Sequence, residues 1–175
     1  MSTLNRDAEI RDRRAVVLGL PLVASFFIAG CAHKRYGSNL KDAEQKLWTG
    51  RISLQIQSDP PQAFFAGFEL KGNAERGELL LTSPIGNVLG VMRWAPNEAV
   101  LESGGDVKRY TSIDALLEQS TGAAIPIAAL FGWLNGENIS ASGWLADLSG
   151  LDNGRLAATR AEPVPEARLR IVLDQ

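Results

Sequence analysis

The sequence predicts an α+β domain that is mainly β, a curved antiparallel sheet interrupted by helices and apolar along almost all of its inner face. Three observations predict it. Apolar residues recur at every second position in Ile52, Leu54, Ile56 and again in Phe64, Ala66, Phe68, Leu70, the period of a half-buried strand. Turn signals such as Asp59-Pro60-Pro61, Lys71-Gly72-Asn73, Pro96-Asn97 and Gly104-Gly105 recur at short intervals, as a meander requires. Helical spacing appears only in short stretches, around Ala43, around Leu116 and around Leu130. At 175 residues the chain has room for one domain of this kind.

The first thirty residues read as an address. Arg11, Arg13 and Arg14 precede an apolar run from Ala15 to Ile28 that ends in small residues, the pattern of a secretory signal peptide over residues 1–30. The run contains Gly19 and Pro21 and falls short of the roughly 20 apolar residues that span a bilayer. Asp12-Arg13-Arg14 faintly resembles a twin-arginine signal, which leaves the export route open. Ile28-Ala29-Gly30-Cys31 resembles the lipobox of bacterial lipoproteins, in which the cysteine is lipidated and becomes the mature N-terminus. The bland alternative is a buried, inert thiol. Cys31 is the single cysteine, so no intrachain disulfide can form, and acylation would remove a reactive thiol from an oxidising compartment. By the same resemblance, Ala32 rather than Asp after the cysteine implies sorting to the outer membrane, with the anchor on its periplasmic face. Several acyl chains, the diacylglycerol and N-acyl groups expected on Cys31, would anchor stably where one chain would not. No other cofactor is expected. Residues 31–39 then form a tether of polar or small residues whose eight or so residues after the cysteine reach at most roughly 30 Å.

The body runs from residue 40 to residue 175. Leu40, Ala43, Leu47 and Trp48 follow Ser38-Asn39 at helical spacing and predict a short opening helix. Strands are then expected around Ile52–Ile56, Phe64–Leu70, from Leu79, Val88–Trp94, Ala99–Leu101 and Val107–Tyr110. Ser112 can cap a helix through Ile113, Leu116 and Leu117 that ends near Thr121-Gly122. Pro126 suits the first turn of a second helix, through Ile127, Leu130, Trp133 and Leu134, stopping at Asn135-Gly136. Three more strands are expected at Trp144–Leu148, Arg155–Ala161 and Ala167–Leu173.

Charge and chemistry exclude more than they select. Four of the eighteen basic and three of the twenty acidic residues precede Cys31, leaving 14 basic against 17 acidic, a body of net −3. A body of that sign with no basic-aromatic interleaving evident in sequence does not suit nucleic acid. The sole histidine, His33, lies on the tether, which removes the imidazole that Ser-His-Asp and Cys-His catalysis require and leaves no zinc ligand set. Glu69, Glu75, Glu78, Glu98 and Glu102 could in principle supply an acid/base pair, but their spacing suits a solvated outer face. Gly86-Asn87-Val88-Leu89-Gly90 lacks the spacing of a phosphate-binding loop. The chain is expected not to be an enzyme.

One family resemblance orders these features. Gly50-x-Ile52, Phe68, Leu79-Leu80-Leu81-Thr82-Ser83-Pro84-Ile85-Gly86, Arg109-Tyr110-Thr111 and Ile125-Pro126-Ile127-x-x-Leu130-x-x-Trp133-Leu134-x-Gly136 together resemble the LolB family of outer-membrane lipoprotein receptors, over about half the chain. The resemblance implies an incomplete, half-open antiparallel β-barrel with helices as a lid over a hydrophobic cavity. It implies a monomer whose partners are the periplasmic carrier LolA, the acyl chains of cargo lipoproteins and outer-membrane lipid. It also implies that Ile85, held out by Pro84 and Gly86, touches the membrane during insertion; the bland alternative is that Ile85 folds back into the core. Phe64, Phe68, Leu70, Leu80, Met92, Trp94, Leu130 and Trp133 are candidate walls of the cavity, or plain core. The sequence departs from the family in having Leu70 where a tryptophan is common nearby, and in a short tail with Pro163-Val164-Pro165 where strand is expected. Those departures predict one or two strands fewer and a less closed cavity. A scaffolding envelope lipoprotein with a filled β-core and a protein partner is the alternative function, and a lipid-modifying enzyme using carboxylates a third.

Overall fold

A computed structural model describes residues 46–175. Nine strands form one antiparallel sheet: β1 (Leu47–Ile56), β2 (Gln62–Gly72), β3 (Gly77–Thr82), β4 (Val88–Ala95), β5 (Glu98–Ser103), β6 (Asp106–Tyr110), β7 (Trp144–Asp147), β8 (Arg155–Arg160) and β9 (Ala167–Leu173). Their spatial order is β6-β5-β4-β3-β2-β1-β9-β8-β7. The first six strands are a plain meander, and the last three return to pair on the free side of β1. β6 and β7 are the two edges, so the sheet is open and not a closed barrel. Two helices, α1 (Ile113–Thr121) and α2 (Ile127–Leu134), connect those edges.

The sequence expectation fails where β1 begins. Leu47 and Trp48 were expected at the end of a helix and instead open the strand, paired with Lys71 and Leu70. The physical reason is the period: Leu47 is exposed and Trp48 buried, and Trp48 continues the inward alternation to Gly50, Leu54 and Ile56. Trp48 meets Phe131 of α2 edge-on at 5.4 Å, a contact a helical register would have turned away. The rest of the predicted helix, residues 40–45, lies outside the described residues, as do the signal peptide, Cys31 and the tether. Gly50 is required by close approach, because a Cβ there would collide with the Val172 carbonyl of β9.

The helices form as their caps dictate. The Ser112 hydroxyl accepts from the Ala115 N–H at 3.1 Å, and α1 ends at Gly122, whose N–H donates to the Glu118 carbonyl. The Asp114 carboxylate in the first turn of α1 accepts the Ile127 N–H at 3.0 Å, so one helix caps the next. Seven of the eight α2 residues are buried, which is why its apolar pattern runs all round rather than in one stripe. Both helices join the inner face of the sheet in one core: Trp94 lies 6.3 Å from Phe131, Trp133 lies 6.3 Å from Trp144, and Leu70, Leu116, Leu169 and Ile171 are fully covered. Three of the four indole N–H groups are satisfied by backbone, Trp94 donating to Asn73, Trp133 to Ile139 and Trp144 to Ala124, whereas the buried Trp48 N–H has no partner among the described residues.

The pairing also sorts the turns. Those between β1 and β2, β3 and β4, β5 and β6, and β8 and β9 share one end of the sheet, because Ile56 is opposite Gln62 and Ala167, Thr82 is beside Gly67, and Ser103 is opposite Asp106. The start of β1 and the end of β9 lie at the other end.

Candidate functional site: an apolar cleft beside an exposed isoleucine

The inner face is filled under α2 and hollow beside the last turn of α1. A cleft of about 340 Å³ opens there, bounded by Leu54 and Ile56 of β1, Phe64 of β2, Leu81 of β3, Leu89 and Met92 of β4, Leu101 and Ser103 of β5, and Ser120 and Thr121 of α1. Alternation puts these apolar side chains on one face, except Leu89, which the register shift between β3 and β4 leaves unpaired beside Gly90, and the antiparallel register brings them together. That volume is at the small end of the roughly 300–1,000 Å³ typical of ligand pockets. No carboxylate lines it; Gln62 and three hydroxyl side chains are its polar members.

Of the eight candidate walls, Phe64 and Met92 border the cleft. Phe68, Leu70, Trp94, Leu130 and Trp133 are buried in the packed core instead. Leu80 is a correction: it lies between Glu69 and Val91 on the outward face, and its neighbours Leu79 and Leu81 are the inward residues. Three consecutive leucines carry no parity in sequence, so only the pairing of Leu79 with Leu70 and of Leu81 with Phe68 decides which of them face in. Leu54, Ile56, Leu89 and Leu101 were missed as walls, although the alternation of β1 already placed the first two on the inner side.

Beside the cleft stands the turn between β3 and β4. The Gly86 N–H donates to the Ser83 carbonyl at 2.9 Å, the Ser83 N–H to the Asn87 carbonyl at 2.8 Å, and the Asn87 N–H to the Ser83 hydroxyl at 3.1 Å. Pro84 and Ile85 are therefore the central residues of a β-turn, with Gly86 in the left-handed region at φ 86°. Ile85 is 84% exposed and does not fold back. Val88 at 62% and Val107 at 58% are exposed near it and border a second, shallower groove.

The carboxylates form no converging pair at the cleft. Glu78 and Glu102 both hold Arg93, at 2.7 and 3.0 Å, and Glu98 holds Arg109 at 2.7 Å. Burial pulls the Arg93 pKa down, but the hydrogen bonds and charges of its two glutamates outweigh this and leave it raised. Asp147 is lowered, first by its hydrogen bond with the Ser149 side chain and then by the Ser149 N–H. Among the described residues no cluster of three His, Cys, Asp or Glu could hold a metal ion.

Comparison with known proteins decides the family. The family model described as "Outer membrane lipoprotein LolB" matches residues 46–172, most of the chain and nearly all of the described sheet. The chain belongs to the LolB family. Relatives named "Outer-membrane lipoprotein LolB" include one from Shewanella oneidensis, 34% identical over 133 residues that cover 73% of this chain and 62% of the relative. Another from Cupriavidus taiwanensis is 29% identical over 84% of this chain and 73% of its own length, and one from Bordetella petrii is 27% identical over 71% and 74%. This LolB-family chain is accordingly an outer-membrane lipoprotein, and the resemblance read from Gly50, Ser83-Pro84-Ile85-Gly86 and Ile125 to Gly136 reflects membership.

Proposed function

We propose that this chain is an outer-membrane lipoprotein receptor that accepts acylated cargo from the periplasmic carrier LolA, shelters acyl chain in the cleft and inserts the cargo into the outer membrane. The observation that carries the proposal is the juxtaposition of an apolar cleft with an isoleucine held in water at the tip of a tightly bonded turn. Each methylene buried is worth about 0.8 kcal/mol, so a long acyl chain costs on the order of 10 kcal/mol to expose, and a handover from cavity to cavity avoids that cost. The cleft is small for cargo with several chains. Full loading therefore requires the end of α1 to part from Ile56 and Leu101, with both helices acting as the lid.

Ile85 contributes too little to anchor anything, roughly 1.5–3 kcal/mol on transfer to lipid. Its part is to disturb the bilayer where cargo leaves, while the lipid on Cys31, cleaved from the signal peptide 1–30 and followed by the tether 31–39, keeps the body close. A scaffold with a filled core is the second reading, supported by the solid packing of Phe68, Leu70, Trp94, Leu130 and Trp133 under α2. Mixing the chain with LolA carrying fluorescent lipoprotein, then adding liposomes, separates the two. Transfer of label to this chain is expected, and Ile85→Glu should accept label normally yet release it to liposomes at least tenfold more slowly. No transfer at all would leave the scaffold, and equal release rates would remove Ile85 from the mechanism.

A further inference from the structure

The outward face of the sheet has two electrically different halves. Over β3 to β6 its cations are neutralised, Arg93 by Glu78 and Glu102 and Arg109 by Glu98. Over β1, β9 and β8 they are not. The register sets Val172 between Arg51 and Arg155, Arg170 between Ser53 and Ala157, and Arg168 between Gln55 and Thr159. All four arginines are exposed, because the alternate residues Leu54, Ile56, Leu156, Ala158, Leu169 and Ile171 face the core. Among the described residues only Arg168 reaches a carboxylate, Glu166, at 3.8 Å. Three exposed apolar side chains stand on the same half: Leu145 in the row of Arg168, Phe65 in the row of Arg170, and Val172 between Arg51 and Arg155. Four cations gathered on one surface of a chain with net charge −2 is a pattern its overall composition does not supply.

We infer that this half of the outward face rests on an anionic phospholipid surface and so sets how the body tilts when the Ile85 turn meets the bilayer. The inference rests on the membrane-touching reading of Ile85. Two features favour lipid over an acidic protein. Apolar side chains alternate with the arginines, so the face offers headgroup contacts and shallow insertion together. The Arg168 row and Phe65 also lie at the end of the sheet that carries the Ile85 turn, so a single plane can touch both. A basic residue near an anionic surface is worth about fivefold in binding, so Arg168 and Arg170 together contribute about 25-fold, falling steeply with salt.

The test uses the mature lipidated chain in vesicles, with one introduced cysteine carrying an environment-sensitive fluorophore and a quencher on the lipid headgroups. Thr159→Cys reports the arginine face and Asn87→Cys reports the Ile85 turn. In phosphatidylcholine vesicles containing one third phosphatidylglycerol, both probes should be quenched. In pure phosphatidylcholine, the Thr159 probe should lose quenching while the Asn87 probe keeps it. Adding Arg168→Gln and Arg170→Gln should have the same effect on the Thr159 probe as removing phosphatidylglycerol. A Thr159 probe silent in both vesicles, or quenched equally in both, overturns the inference. Protection of that position by cargo-loaded LolA with no response to phosphatidylglycerol does so too, in favour of an acidic protein. A silent Asn87 probe defeats the Ile85 reading alone and is distinguishable from either result.

Discussion

An isoleucine held in water gives up burial energy that its neighbours Leu79 and Leu81 keep, and Ser83 is the residue that enforces the difference. Its N–H, carbonyl and hydroxyl are all engaged within the turn. Ser83→Ala removes one of the three bonds and should slow cargo release by less than Ile85→Glu does, with uptake unchanged; a stopped-flow release assay measures both. Trp133 is the opposite case, wholly buried with its indole N–H on the Ile139 carbonyl. Trp133→Ala should cost about 3–5 kcal/mol, read as a fall in the urea midpoint. Asp147 gives a pH signature. Its folded-state pKa is lowered, so its contribution is complete above the ordinary carboxylate range and is lost as pH falls through the lowered value. Asp147→Asn should flatten the acid limb of Tm against pH, and an unchanged limb would deny the Ser149 contact any energetic role.

At the level of elements, the link between the helices is a single carboxylate. Asp114→Ala leaves the Ile127 N–H without its partner and should cost about 1 kcal/mol. Hydrogen exchange should quicken in the first turn of α2 and not in β9; uniform quickening would mean that the helices do not move separately from the sheet. Elements with strong local signals were legible in the sequence. Ser112 and Gly122 bounded α1, Pro126 and Asn135 bounded α2, and β9 fell on Ala167–Leu173 as its alternation implied. What was not legible depended on pairing across the sheet. The start of β1 looked helical because Leu47 and Trp48 extend the spacing of Leu40 and Ala43, whereas the strand buries Trp48 and leaves Leu47 exposed, and the parity of Leu79-Leu80-Leu81 is fixed only by β2. The cleft was legible as an apolar face but not as a location, since its emptiness depends on where α1 ends.

For the whole molecule, the consequence is an open sheet in which one half of the inner face is solid and the other hollow. Filling the hollow should therefore separate stability from function. Leu101→Trp places a larger ring among Leu89, Met92 and Thr121 and should reduce uptake of labelled cargo severalfold while shifting Tm by only a few degrees. Loss of fold in place of loss of uptake would mean that the space is not available to ligand.

The strand that receives the chain from Cys31 starts at the far end from Ile85. Thr82 is level with Gly67 and Arg51, four residues or about 13 Å along β1 from Leu47, and the turn adds about 10 Å, so an anchor at Cys31 has to span at least about 23 Å for the isoleucine to land. The roughly fifteen residue steps from Cys31 to Lys46 can stretch to about 50 Å. Deleting residues 32–39 would cut the reach to about 24 Å, barely that span, and the shortened protein should still collect cargo yet settle its tip in the lipid more slowly.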